Sequence, residues 1–219
     1  AGGIAHEVRN PLAVVSAAAQ LLLGKPLDPQ TQRECAEAIH RGVKRAAGVI
    51  ESLLRFARPS DDGLRQPLDL RDVVRDAAEL VAAQMRVARA ELSLDLPAGP
   101  VRVRGNAPLL QQLVSNLLLN AANAMPEAGG AVRVALDPGP PRAVLRVSDT
   151  GRGIPPDDLP KVFDPFYTTM PVGRGTGLGL SICHAIAQHH DGRIDLASSP
   201  ADGTTAAVTL PLDDAEGPP

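Results

Sequence analysis

The stretch AVLRVSDTGRGIP, residues 143–155, decides the fold. Residues 143–147 alternate in the manner of a strand, and the pattern stops at Asp149, where Gly151, Gly153 and Pro155 follow in quick succession. A carboxylate at a strand end accepts hydrogen bonds, and the exocyclic amine of a ring is a fitting donor. Gly151 and Gly153 lack a Cβ, so the backbone on either side of Arg152, up to Ile154, can come close to a planar ring.

Around this stretch the periodicity switches repeatedly. Residues 70–89 and 108–124 repeat as helices, the second with Asn106 as a fitting N-cap and Pro108 in its first turn. Residues 91–96, 101–104, 131–136, 193–197 and 205–210 read as strands, and residues 178–190 as a helix closed by Gly192. Strands and helices do not alternate regularly. The expected fold is therefore α+β, an α/β sandwich with a mixed sheet, rather than a doubly wound one.

The N-terminal quarter is different. Ile4, Val8, Leu12, Val15, Ala19 and Leu22 recur every three or four residues. The breaker GKPLDP, residues 24–29, interrupts them, and Ala36, Ile39, Val43, Ala46, Ile50, Leu53 and Ala57 resume as a heptad seam. Two helices and a short turn make a hairpin, which is too small to cover its own apolar face. Pairing two copies into a four-helix bundle covers that face and predicts a homodimer, and packing on the rest of the same chain is the other option. PSDDG, residues 59–63, reads as a linker.

Composition narrows the function. The 219 residues are 44% hydrophobic and 21% charged, which suits one or two soluble globular domains. Aromatics are 2% with no Trp, which argues against base-stacking recognition of nucleic acid, and a net charge of −3 gives no pull toward nucleic acid or acidic lipid. Cys35 and Cys183 form neither a disulfide framework nor a zinc pattern. No apolar run approaches the ~18–20 residues that span a bilayer, so this stretch is expected to be cytoplasmic and free of membrane contact. It opens without Met, inside a helix, and reads as an excised piece whose sensing or membrane-anchoring part lies elsewhere.

Four motifs carry chemistry. In HEVRNP, residues 6–11, His6 and Asn10 share a helix face, and Glu7 can hold one ring nitrogen of His6 and leave the other as a nucleophile. In NLLLNAAN, residues 116–123, the amides of Asn116 and Asn120 share a face and suit Mg2+ and polyphosphate oxygens. The third is the Asp149 loop. The fourth, GRGTGLGL at residues 173–180, is a glycine-rich loop entering a helix, a phosphate site without the βαβ setting of a dinucleotide fold. FDPFYTT, residues 163–169, reads as the base of a lid. Taken singly, HEVRNP, the asparagine helix and FDPFYTT have ordinary explanations: a solvated His–Glu pair, surface asparagines and a hydrophobic clamp. His189 and His190 beside Asp191 fit a helix C-terminus better than a metal site.

Taken in order, HEVRNP, NLLLNA, DTGRGIP, FDPF and GRGTGLGLSI resemble the catalytic core of a bacterial sensor histidine kinase, particularly the nitrogen-regulator type with HExxNP. The resemblance covers nearly the whole chain. It implies a dimerization and phosphotransfer hairpin over residues 1–58, a linker over 59–66, an ATP-binding domain of the DNA gyrase and MutL fold over 67–213, and a tail over 214–219. It makes His6 the phosphoacceptor, Glu7 its base and Asn10 a participant in regulator dephosphorylation. Asn116, Asn120 and Asn123 would handle Mg2+ and phosphates. Asp149, Gly151, Gly153, Ile154 and Thr205 would hold adenine, and Phe166, Thr168, Arg174, Gly175, Thr176, Gly177, Leu178, Gly179 and Leu180 would line the lid and phosphate loop. The implied cofactors are ATP and Mg2+, and the implied partner is a response regulator receiver domain. The sequence departs from the pattern in two places: Met170 stands where a lysine is frequent, so that either the lid lacks a cation or Arg174 replaces it, and Ala206 follows GTT where an aromatic is frequent. A gyrase-type conformational ATPase without phosphohistidine, or a non-catalytic dimerization scaffold, are the alternatives.

Overall fold

The computed structural model describes residues 2–24, 26–57, 65–170, 177–200 and 202–213. The chain divides into two compact units, Ala1–Asp61 with Phe166–Leu178, and Asp62–Pro165 with Gly179–Pro219.

The first unit is built on a hairpin of α1 (Gly2–Leu23) and α2 (Pro29–Ala57). The predicted breaker does more than interrupt. Asp28 caps α2, its Oδ1 accepting from the N–H groups of Gln30 and Thr31 at 3.0 Å each, with the Thr31 hydroxyl donating to Oδ2 at 2.6 Å. These bonds hold the Asp28 carboxyl below its usual range. The two helices are in close contact at Gly42, where a Cβ would stand 2.5 Å from Val15 Cγ2 and 3.0 Å from the Pro11 carbonyl oxygen. Pro11, Ala18, Cys35, Gly42 and Ala46 are buried. The expected seam is therefore only partly closed: Leu12 is 49% exposed and Val43 52%, with Val14, Leu21 and Leu22 also open.

The second unit is a two-layer sandwich. Its five-stranded sheet runs in the order β2 (Ala90–Asp95), β4 (Gly130–Gly139), β5 (Arg142–Asp149), β7 (Gly203–Pro211), β6 (Arg193–Ser199). β2 is parallel to β4 and the other pairs are antiparallel, so the sheet is mixed as expected. Three helices, α3 (Leu70–Val87), α4 (Ala107–Ala124) and α5 (Gly179–His189), cover one face. Val132, Val134 and Leu136, Ala143, Leu145 and Val147, and Ala206, Val208 and Leu210 point into that layer, one residue in two along each strand. Leu113, Val114, Leu117 and Leu118 of α4 are buried as well, and α4 packs on β4, β5 and the two other helices.

A small second sheet pairs β1 (Gln66–Asp69) with β3 (Arg102–Gly105), and a short 3-10 turn spans Leu159–Lys161. Neither β1 nor the turn shows in the periodicity. Asp69 ends β1 and caps α3, accepting from Arg71 N–H at 3.0 Å and Val101 N–H at 3.1 Å while pairing with the Arg71 guanidinium. No described helix is long and apolar enough to cross a membrane.

Candidate nucleotide site

The Asp149 loop sits where β5 ends against two other strands. Asp149 pairs with Thr204 of β7 and Val132 of β4. Its Oδ1 accepts from Gly151 N–H at 2.8 Å, and Thr204 N–H donates to the same carboxylate. Burial pushes the Asp149 carboxyl above its usual range, and the two N–H donors pull the other way. The loop then turns at Gly153, whose φ is +66° and where a Cβ would stand 2.0 Å from the Ser199 carbonyl oxygen, so only glycine fits. Ile154 N–H donates to Ser198 Oγ at 2.8 Å, and Arg152 N–H donates to the Ala124 carbonyl at the end of α4 at 3.0 Å.

The strand register corrects one expectation. Residues facing each other across antiparallel strands share a face, and Thr205 faces Ser148, to whose hydroxyl it donates at 2.9 Å. Those two side chains lie on the sheet face opposite the helices. Thr204 is the threonine on the Asp149 face, and its hydroxyl is 2.8 Å from that of Ser198. Sequence reading missed Thr204 and Ser198; the period of two, counted back from buried Ala206, was the available signal.

α4 and α5 bring the asparagines to the same end of the unit. The Asn120 amide lies against Gly179 at the start of α5, its Oδ1 3.6 Å and Nδ2 3.7 Å from where a Cβ would stand. Asn116 is half-buried and hydrogen-bonds the Cys183 thiol, which burial pushes up to about 12 and which donates to the Leu113 carbonyl at 3.6 Å. Asn123 is exposed on the last turn of α4, and Leu180 is half-buried in α5. Hard, neutral amide oxygens beside a helix N-terminus fit Mg2+ carrying a polyphosphate. Among the described residues no group of three or more His, Cys, Asp or Glu could hold a metal ion.

The lid residues divide. Phe163 remains in the second unit, its ring 5.4 Å from that of His184. Phe166, Thr168, Gly177 and Leu178 belong to the first unit. There Phe166, at φ +72°, donates its N–H to the Gly177 carbonyl at 2.9 Å, and Thr168 Oγ1 accepts from Met170 N–H at 3.2 Å. A Cβ on Gly177 would stand 2.3 Å from the Phe166 carbonyl carbon. Arg174, Gly175 and Thr176 lie outside the described residues. His6 and Glu7 stand on α1, where only their backbone is described, and Asn10 is exposed one turn on.

The family described as "Histidine kinase-, DNA gyrase B-, and HSP90-like ATPase" matches residues 105–214, and the His Kinase A (phospho-acceptor) domain matches residues 1–62. The chain belongs to the histidine kinases. The second match has no place in a gyrase-type ATPase, so that alternative is not favoured. Sensor histidine kinase ZraS of Salmonella typhi is 30% identical to this kinase over 212 residues, covering 97% of this chain and 45% of that protein. The kinase thus spans under half the length of curated relatives such as this one. The mycobacterial sensor histidine kinase MprB is a solved structure with 33% identity and a TM-score of 0.58, covering 68% of this chain and 98% of that one. Histidine kinase ThkA in complex with response regulator TrrA shares the fold, with a TM-score of 0.77 at 21% identity over 98% of this chain and 61% of that one.

Proposed function

We propose that this kinase moves the γ-phosphoryl group of ATP to His6 and passes it to an aspartate on a response regulator receiver domain. The observation that supports this best is the half-buried Asp149 carboxylate, held by Gly151 and Thr204, on a chain that also carries HEVRNP. Asp149 accepts from the adenine amine over a floor of Gly151, Gly153 and Thr204. Asn116 and Asn120, with Asn123 nearby, hold Mg2+, which would neutralise phosphate charge when bound. The loop amides through Gly179 and Leu180 cradle the phosphates, and Arg174 meets the γ-phosphate in place of a lysine at Met170.

One ring nitrogen of His6 attacks the γ-phosphorus as the bond to the ADP oxygen breaks. Glu7 accepts the proton from the other nitrogen. In transfer to the regulator an aspartate oxygen attacks the phosphorus as the bond to the His6 nitrogen breaks, and Glu7 returns the proton to the ring. Asn10 then orients water against the regulator's phosphoaspartate. The open Leu12, Val14, Leu21, Leu22 and Val43 supply the surface for a homodimeric four-helix bundle. The solved complex of ThkA with TrrA, a histidine kinase joined to a response regulator protein, supports the receiver-domain partner.

The test is incubation of the chain with γ-labelled ATP and Mg2+, followed by acid and alkali. Label that survives alkali, is lost in acid and disappears in His6→Gln is expected. Label retained in that variant refutes the assignment.

A further inference from the structure

His190 is not the solvated helix-end cation its position suggests. It is 2% exposed, at the opposite end of α5 from Gly179. Its Nδ1 is 2.8 Å from the Ile186 carbonyl oxygen, which only accepts, so Nδ1 carries a hydrogen. Its Nε2 is 3.0 Å from the Asn106 N–H, which only donates, so Nε2 presents a lone pair. The ring edge rests on Gly105, where a Cβ would stand 2.9 Å from Cδ2 and 3.1 Å from Nε2. Asn106 is the N-cap of α4, its side chain accepting from Leu109 N–H at 3.2 Å. One imidazole thus joins the last turn of α5 to the first turn of α4. Arg65 reinforces the junction by donating to the Asp191 carboxylate and the His189 carbonyl, and Arg142 donates to the Asp191 carbonyl at 3.2 Å.

These two helices carry Asn116, Asn120 and Gly179. A helix advances about 1.5 Å per residue, so a slip of one residue between α4 and α5 is enough to disrupt the contact of Asn120 with Gly179. We infer that His190 is a positioning residue of the nucleotide site, setting the axial register of α4 against α5 so that the Asn116–Asn120 face meets the first turn of α5. This rests on the reading of that face as the phosphate and Mg2+ side. The adenine side, by contrast, is built on strand-to-strand bonds among Asp149, Thr204 and Ser198.

The two sides respond differently, and that is the test. Adenosine and ADP with Mg2+ are titrated into the full chain and its variants by calorimetry, with the fold followed by circular dichroism. His190→Leu removes both hydrogen bonds and is expected to weaken Mg–ADP at least tenfold while changing adenosine less than twofold. His190→Gln returns an acceptor near the Nε2 position and is expected to recover most of the Mg–ADP affinity. His190→Asn keeps a donor toward Ile186 without reaching Asn106, and gives the same split as leucine should that variant fail to fold. Equal losses for both ligands, or none for either in folded protein, overturn the positioning role. A wild-type chain that binds Mg–ADP no more tightly than adenosine overturns the phosphate-side reading itself.

Discussion

Replacing Asp149 with asparagine separates recognition from stability. The carboxylate already gives Oδ1 to Gly151 N–H at 2.8 Å and accepts from Thr204 N–H. An asparagine satisfying those donors keeps its oxygen on them and turns its NH2 toward the adenine amine, donor against donor. A hydrogen bond to a charged group contributes about 1.5–3 kcal/mol, and leaving a partner unpaired costs a similar amount. The expected loss is about 2–3 kcal/mol, roughly 30- to 150-fold in ATP affinity. Stability moves the other way. Burial raises the Asp149 pKa in the folded state, so the folded chain holds this proton more tightly than the unfolded one. Stability therefore falls as pH rises from about 3.8 through the raised pKa, and at neutral pH the ionised group is a cost. Asp149→Asn without nucleotide should melt at or above the wild-type temperature at pH 7.5. Calorimetric titration of ATP and a thermal scan on the same sample measure both. ATP affinity within twofold of wild type, or a clear drop in melting temperature, would refute the reasoning.

Other perturbations follow from single contacts. Gly153→Ala puts a Cβ 2.0 Å from a carbonyl oxygen at φ +66°, and should cost more than ~2 kcal/mol in urea unfolding along with ATP binding. Gly42→Val forces α1 and α2 apart at Val15 and Pro11, costing about 1–3 kcal/mol of hairpin stability by thermal melt. Asp28→Ala removes the α2 cap and should cost about 1 kcal/mol, read from the same melts. Burial lowers the His190 pKa below 6.5, with His189 and Arg65 adding to the shift and Asp191 and the Ile186 carbonyl opposing it. Its contribution to stability is complete above about pH 6.5 and shrinks as pH falls toward the lowered pKa; a His190→Gln chain should lose that part of the acid sensitivity in melts from pH 8 to 5.

Where one face of an element is strongly apolar, the sequence predicts the structure well. Leu110, Leu113, Leu117 and Ala121 on α4, and the alternation in β4, β5 and β7, select helix and strand without tertiary help. Three features resist local reading for physical reasons. β1 is four residues long and contains Pro67, too short for a period to show. Gly203, Thr204, Thr205 and Ala206 are all small, so only the period of two carried back from Val208 and Leu210 marks which threonine faces inward, and the pairing with β5 fixes it. In the hairpin, apolar positions serving contacts within one chain and those left open carry the same heptad signal. Gly42 and Cys35 are buried while Val43 is not. His190 reads as a helix-end cation because Asn106, its half-buried partner, is 84 residues away.

The order of strands in the sheet has a consequence for synthesis. β7 lies between β5 and β6, yet among the five strands of this sheet it is the last made. A nascent chain that has not reached Gly203 has Asp149 without Thr204 and β5 with a bare edge. Ribosomes add about 5–20 residues per second, so the other four strands of the sheet are made before the strand that brings Thr204 to Asp149. Competence therefore arrives in one late step, when residues 203–211 slot into the gap. A copy that stops before Gly203 carries the hairpin sequence but lacks the strand that completes the Asp149 side of the second unit.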